Sequence, residues 1–285
     1  MGIVDEHDPG YGPLVDTTVR IATWNLWGTY GPWEARQAAI VETVRAADAD
    51  VYALQEVWSR GDGSQNQADV LAAALGGYHV VYEPNLDRDA FQSGNAIVSR
   101  WPLARRDVRV LPRKAAPVAD DEGEERLCVF AEIDGPRGPF QIFCAHLSWR
   151  GDHSAIRQDQ VRAICEFVRD QRPRSFPAVL CGDLNADPSS DEIRTLTGRA
   201  AVPVRGIWFR DAWEQAGGGP GHTRHHTNPW AAKDLDIDRR IDFVMVGNPK
   251  LGGVGHVRRV ELFGDNAVDG VVGSDHYGVV ADLRY

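Results

Sequence analysis

Residues 127–147, Leu127-Cys-Val-Phe-Ala-Glu-Ile-Asp-Gly-Pro-Arg-Gly-Pro-Phe-Gln-Ile-Phe-Cys-Ala-His-Leu147, hold two strand-like runs separated by a short Gly/Pro-bearing segment. Leu127–Ile133 and Phe140–Leu147 are rich in the β-branched and aromatic side chains that suit a pleated, half-buried surface. Parallel pairing of neighbouring strands needs a crossover of a dozen or more residues, usually a helix, and there is no room for one here. Upstream, His79–Glu83, Asn95–Ser99 and Leu103–Val110 also follow one another without a helical pattern between them. This excludes a doubly wound parallel sheet and predicts mixed or antiparallel sheets with a few covering helices.

Working outward, Val19–Leu26, Val51–Gln55, Ala178–Cys181, Arg240–Val246, Val254–Leu262 and Tyr277–Leu283 read as further strands. Helices are predicted over Glu34–Ala47, Asn66–Leu75, Ser154–Gln171 and Asp191–Leu196. The third is the clearest: Ile156, Val161, Ile164, Cys165 and Val168 make one apolar stripe, Ser154 suits an N-cap and Pro173 stops the helix. Residues 1–18 read as an irregular arm and 19–285 as a single domain, with Gly217–Gly221 a loop inside it. No repeat or low-complexity tract interrupts the pattern.

The chain has 285 residues, 43% hydrophobic and 25% charged, which excludes disorder and collagen-like order. No apolar run reaches the roughly 18 residues of a membrane helix. The N-terminus lacks the basic and apolar regions of a secretory signal, so a cytoplasmic location is expected, and a monomer with it. Cys128, Cys144, Cys165 and Cys181 form no CxxC pair and are expected to be buried thiols. The net charge of −10 is opposite in sign to that of groove-tracking nucleic-acid binders, so nucleic acid is a partner that charge does not favour. Only 3 of the 31 basic residues are Lys. The densest basic stretch, Arg100 to Lys114, reads either as a solvated strand pair and loop or as a local phosphate-facing patch.

Four strand-like runs end in side chains suited to metal, phosphate or proton chemistry. Ile21-Ala-Thr-Trp runs into Asn25, Val51-Tyr-Ala-Leu-Gln into Glu56, Phe140-Gln-Ile-Phe-Cys-Ala into His146, and Val179-Leu-Cys-Gly into Asp183 and Asn185. Asp242 sits inside the apolar run Ile241–Val246, and Ser274-Asp275-His276 opens the last strand. Singly, an Asn or Asp after a strand is more often a turn residue, and a lone His a structural one. Together, strand ends from shared sheets could converge on one cleft. Glu56 and Asp275 with Asn25 are hard oxygen ligands that suit Mg²⁺ or Mn²⁺ rather than Zn²⁺. An Asp–His pair would make an oriented general base or phosphate ligand. Asp242 would be costly to bury without a partner; Arg239 or Arg240 is the structural alternative.

The ordered elements Trp-Asn25, Leu-Gln-Glu56, Gly94-Asn95-Ala-Ile-Val-Ser-Arg100, Ala-His146-Leu, Gly182-Asp-Leu-Asn185, Arg240-Ile-Asp242-Phe and Ser274-Asp-His276 resemble the endonuclease/exonuclease/phosphatase superfamily over residues 19–285. The resemblance implies a four-layer α/β sandwich of two packed mixed sheets flanked by helices. It implies metal-dependent hydrolysis of a phosphoester by in-line attack of water. It assigns Glu56 as principal metal ligand with Asn25 beside it and Asp275 on the metal side. Asp242 orients His276, Asp183 aligns or deprotonates the water, Asn185 holds the phosphate, and His146 contacts phosphate or leaving group. Asp183 and His276 share the role of base.

Two departures bear on substrate. The abasic-endonuclease branch carries an acid two residues after the motif Asn, where this chain has Trp27, and the basic surface of that branch is not evident. A small or headgroup-like phosphoester is therefore expected ahead of DNA or RNA, and an inactive fold used for binding is the reading from another class. Asn95, Arg157, His222 and Asn228 are further substrate candidates, with Gln160 beside Arg157. The stretch Gly221–Trp230 reads as an imidazole-rich substrate loop, a polar surface loop, or a metal site of His222, His225 and His226.

Overall fold

The computed structural model describes residues 15–88, 91–113, 125–234 and 238–285. Along the chain the elements are β1 (Thr18–Asn25), α1 (Trp33–Ala47), β2 (Val51–Arg60), α2 (Gln67–Ala74), β3 (His79–Arg88), β4 (Phe91–Ser99), β5 (Leu103–Val110), β6 (Leu127–Gly135), β7 (Gly138–His146), α3 (Ser154–Asp170), β8 (Val179–Asp183), α4 (Asp191–Leu196), β9 (Arg210–Asp211), α5 (Ala212–Ala216), β10 (Asp242–Val246), β11 (Val257–Phe263) and β12 (Gly278–Arg284). They form two six-stranded sheets, ordered β11-β12-β1-β2-β4-β3 and β5-β6-β7-β8-β10-β9. β1 is parallel to β2 and β7 to β8, and the other pairings are antiparallel. The mixed-sheet expectation holds, as does the β6–β7 hairpin, which pairs Ile133 with Phe140.

Strand periodicity sorts side chains into layers. Side chains two residues apart share a face. Val19 and Ile21 of β1, Val51 and Ala53 of β2, Ile142 and Cys144 of β7, Val179 and Cys181 of β8, and Val244 and Val246 of β10 meet in one core between the sheets. The intervening residues face outward. Ala22, Trp24, Tyr52 and Leu54 pack with Ile40 and Val44 of α1. Phe130, Phe143, Leu180 and Phe243 pack with Val161, Ile164 and Phe167 of α3 and Ile193 of α4. The result is helix, sheet, sheet, helix. Phe143 meets Phe167 edge to face at 5.6 Å, an arrangement that adds about 0.5–1.5 kcal/mol to the burial of the rings.

Several elements depart from the sequence reading. β2 continues past Gln55 to Arg60 through a break in register between Leu54 and Val57. Ser154 is the first helical residue of α3 and caps nothing: its hydroxyl donates to Glu192 Oε2 at 2.9 Å. β9 and α5 are too short to leave a periodic signature. Of the expected arm, residues 1–14 lie outside the described residues. Val15 N–H donates to the Gly252 carbonyl, and Tyr285 N–H to that of Thr17, so this part is joined to the fold. All four cysteines are free and buried. Among the described residues no helix is long and apolar enough to cross a membrane.

Candidate active site

The inner columns of the two sheets end in polar residues. Asn25 continues the column Val19–Ile21–Thr23, His146 continues Phe140–Ile142–Cys144, and Asp183 continues Val179–Cys181, while Asp242 begins the column of Val244 and Val246. The register places His146 beside Asp183 across the parallel β7/β8 pair and Asp242 opposite Asp183 across β8/β10. Gly182 permits this closeness. Its φ is +146°, and a Cβ there would lie 1.8 Å from the Ala145 carbonyl oxygen. Asn25, His146, Asp183, Asn185, Asp242, Asp275 and His276 are all buried, and Glu56 is half-buried.

Glu56 does not follow the column rule. Val51 and Ala53 face the inter-sheet core while Leu54 and Val57 both face α1 and α2, so one extra residue is absorbed between them. Glu56 takes it up with φ +51°, in the left-handed region. Such a bulge re-aims a side chain, and here the carboxylate meets Asn25: Nδ2 of Asn25 donates to Glu56 Oε1 at 3.0 Å. Trp27, just after β1, and Asn185, just after β8, are also left-handed, at φ +57° and +49°. Left-handed residues of this kind cost on the order of 1–3 kcal/mol each and gather at functional sites.

Asp183 is the hub. Its Oδ2 accepts from Asn25 Nδ2 at 3.1 Å and lies 3.5 Å from His146 Nε2 and 3.8 Å from His276 Nε2. Its Oδ1 accepts from the Asn185 N–H at 2.9 Å. Asp242 Oδ2 lies 2.8 Å from His276 Nδ1, and Arg239 and Arg240 pair instead with Asp187 and Asp211. Arg126 Nη1 lies 2.9 Å from His146 Nδ1. A guanidinium can only donate, so Nδ1 accepts and the His146 proton sits on Nε2, facing Asp183. Ser274 Oγ donates to the Asn25 carbonyl at 2.6 Å and accepts from His276 N–H at 3.2 Å, which ties the last loop to the end of β1. Asp275 pairs with Arg224, 3.2 Å away.

The electrostatics pull the titratable groups apart. Burial, with Asp242 nearby, pushes the Asp183 carboxyl up to about 6. Burial by itself lowers an imidazole, but at His276 Asp242, Asp275 and Asp183 outweigh it and raise the ring to about 10. His146 goes the other way, well below its ordinary value, through burial and the neighbouring positive charge of Arg126 and His276. One imidazole is therefore held as a cation and the other neutral. Glu56, Asn25 and Asp275 offer hard oxygen donors, the kind that could hold a divalent cation.

The other predicted residues lie around this cluster and engage neighbouring protein groups. Arg157 and Gln160 are buried, neither solvated nor facing a phosphate. Arg157 pairs with buried Glu192 at 2.6 Å and donates to the carbonyls of Ser148 and Arg150. Gln160 donates to Ser148 Oγ and the Pro112 carbonyl. An apolar stripe alone does not show that these polar residues also point inward. Asn228 Nδ2 donates to the Ser274 carbonyl at 2.9 Å and so supports the His276 loop. Asn95 Nδ2 donates across to the Leu127 carbonyl, while its Oδ1 is buried without a hydrogen-bond partner. His222 and His225 gather with Asp238. In the basic stretch, Arg100 pairs with Asp48 and Asp50, and Arg109 with Asp170; Lys114 lies outside the described residues. Sequence reasoning missed Arg126, Thr223 and Arg36. Thr223 Oγ1 accepts from the N–H groups of Ile241 and Asp242. None of the three sits in a pattern that distinguishes it from a surface residue.

The sequence matches the Endonuclease/Exonuclease/phosphatase family over residues 22–276. No curated protein matches it. Among solved structures it is similar to the endonuclease/exonuclease/phosphatase from Beutenbergia cavernae, at 25% identity and TM-score 0.67, covering 94% of this chain and 71% of that one. It is similar to the mannosyl-6-phosphatase Bt3783 of Bacteroides thetaiotaomicron, at 19% identity and TM-score 0.70, covering 94% and 100%. Truncated TDP2 from Caenorhabditis elegans superposes with TM-score 0.68 at 21% identity, covering 95% and 99%.

Proposed function

Because the chain belongs to the endonuclease/exonuclease/phosphatase family, whose members are phosphoester hydrolases, we propose that it is an Mg²⁺- or Mn²⁺-dependent phosphoester hydrolase acting on a small or headgroup-like substrate. The observation that carries this reading is the convergence on Asp183 Oδ2 of Asn25, His146 and His276 from both sheets, with Asp242 behind His276. Glu56, with Asn25 and Asp275, would hold the ion, which when bound supplies positive charge to the phosphoryl oxygens.

The chain's own groups divide the remaining work. Asp183 accepts the proton of the attacking water, its carboxyl being poised nearer neutrality than an ordinary Asp. His276, kept protonated by Asp242 and the other carboxylates, donates from Nε2 to a phosphoryl oxygen. This divides the base role that the sequence leaves shared. His146 offers a neutral Nε2–H to the phosphate or the departing oxygen. Asn185 Nδ2 gives one N–H to the Leu147 carbonyl and retains a second for phosphate.

Net charge and the pairing of Arg100 and Arg109 with carboxylates support a small substrate over a long polyanion. The test is a panel with Mg²⁺ or Mn²⁺: sugar phosphates, inositol phosphates, nucleotides, sphingomyelin, abasic duplex, plasmid DNA and single-stranded RNA. Turnover of a small phosphoester that Asp183→Asn abolishes is expected. An Asp183→Asn protein should bind a 20-mer duplex with a shallow salt dependence, about two or three effective phosphate contacts on a log–log slope of about −0.9 per contact. Sub-micromolar binding with a steep slope would move the substrate to nucleic acid. Loss of ion binding in Glu56→Gln, read by calorimetry, tests the metal assignment separately.

A further inference from the structure

We propose that His222, His225 and Asp238, in the loop between α5 and β10, form a second metal site for a borderline transition-metal ion of the Zn²⁺ class. The three residues offer ligand atoms that all lie within 4.8 Å of one another. Asp238 Oδ2 is 3.4 Å from His225 Nε2 and 4.0 Å from His222 Nδ1. Ligands at about 2.0–2.1 Å from a tetrahedral Zn²⁺ stand about 3.3 Å apart along each edge. The first separation already meets that edge, and the second needs a closure of about 0.7 Å.

The constellation is built by the backbone. Arg224 and Arg239 exchange a pair of hydrogen bonds, N–H to carbonyl, at 3.0 and 2.9 Å. This two-residue antiparallel bridge holds the limb bearing His222 and His225 against the limb bearing Asp238. The imidazoles of His222 and His225 stack at 5.8 Å between centroids, 26° from parallel, so the two rings stand side by side. His225 Nδ1 lies 2.7 Å from Thr227 Oγ1 and 3.3 Å from the Thr227 N–H. As it stands Nδ1 accepts from that N–H, so the ring proton lies on Nε2, which faces Asp238. An ion taken up at Nε2 displaces that proton and shifts the protonated nitrogen to Nδ1, where Thr227 Oγ1 can accept and the longer N–H contact opens, the usual outer-shell arrangement of a metal-bound imidazole. His226 competes: its Nδ1 is 2.8 Å from Asp238 Oδ2, but its side chain is 67% exposed and can turn to solvent.

The donor set differs in kind from that around Glu56. Two imidazoles and one carboxylate favour Zn²⁺ and its neighbours, whereas oxygen donors favour Mg²⁺. The position also has a use. Arg224 reaches Asp275, and Arg239 reaches Asp187. An ion joining the two limbs would brace both arginines beside the candidate active site.

The experiment is a Zn²⁺ titration of chelator-stripped full-length protein in excess Mg²⁺, read by calorimetry and elemental analysis. One Zn²⁺ that Mg²⁺ does not displace is expected, retained in Glu56→Gln and in the surface control His79→Ala. His225→Ala and Asp238→Asn should each weaken it at least tenfold, since even outer-shell losses commonly cost 10–100-fold. Co²⁺ added to the unmutated protein gives a reading that requires no variant to fold: an intense visible band of four-coordinate Co²⁺ supports the site. Zn²⁺ binding that Mg²⁺ abolishes, binding indifferent to both substitutions, or only the weak spectrum of six-coordinate Co²⁺ would overturn it and leave a hydrogen-bonded imidazole cluster.

Discussion

Arg36 Nη1 donates to the Gly273 carbonyl at 2.7 Å, joining α1 to a segment 237 residues away. The same guanidinium donates to the carbonyls of Leu26, Trp27, Gly28 and Tyr30. Arg36 is fully buried, and burial lowers its guanidinium to about 10 despite Asp275 and Glu56 nearby. It thus holds the turn that follows Asn25 and the turn that precedes Ser274-Asp275-His276. Arg36→Met should cost more than about 3 kcal/mol, because several buried carbonyls lose their donor at once. Urea denaturation measures it. A loss under about 1 kcal/mol would mean water replaces the guanidinium without penalty.

Gly182→Ala tests the register of β7 and β8. The new Cβ would meet the Ala145 carbonyl oxygen at 1.8 Å, at a φ that L-residues avoid. Neither strand can retreat, since both are packed against α3 on one face and the opposite sheet on the other. The expected outcome is insoluble protein or destabilisation beyond about 4 kcal/mol. A soluble variant with an unchanged melting temperature would contradict the pairing of His146 with Asp183 across these strands.

Asp242→Asn should leave the fold standing and slow turnover by about 10²–10⁴-fold. The sign of its pH effect is also set. His276 is raised from an ordinary value near 6.5 to about 10, so its protonated form contributes stability that is fully present below about 6.5 and lost as pH rises through about 10. Removing the Asp242 charge lowers that value. The alkaline limb of the kcat profile should therefore move to lower pH in Asp242→Asn. An unmoved limb at wild-type rates would make the carboxylate structural.

The thiols should be inert in the native state. Burial raises all four, Cys144 and Cys165 to about 12, so almost no thiolate exists near neutral pH. Ellman's reagent should find four thiols in denaturant and essentially none before it. Rapid labelling of the folded protein would mean that a core wall opens.

Much of the candidate site is legible in the sequence because strands alternate. Cys144 stands two residues before His146, Cys181 two before Asp183, and Val244 two after Asp242, so the polar residues continue columns whose apolar members mark the inner face. Arg157 shows the converse. A helix displays its apolar stripe in sequence, but a buried ion pair with Glu192 needs a partner 35 residues away, which no local pattern announces.

By itself, then, the sequence determined the shortage of crossover helices, and with it the mixed sheets, and the polar ends of the strands, since these follow from connection length and strand composition; the four layers came only with the family resemblance. Only the tertiary structure decided where Glu56 points, which proton His146 carries and what holds Asp242. Period two would turn Glu56 toward the helices; the bulge against β4 turns it to Asn25. Arg126 sets the His146 tautomer, and His276 rather than either adjacent arginine meets Asp242. These are contacts between residues distant in the chain. Their energies depend on burial and register that exist only once both sheets have packed.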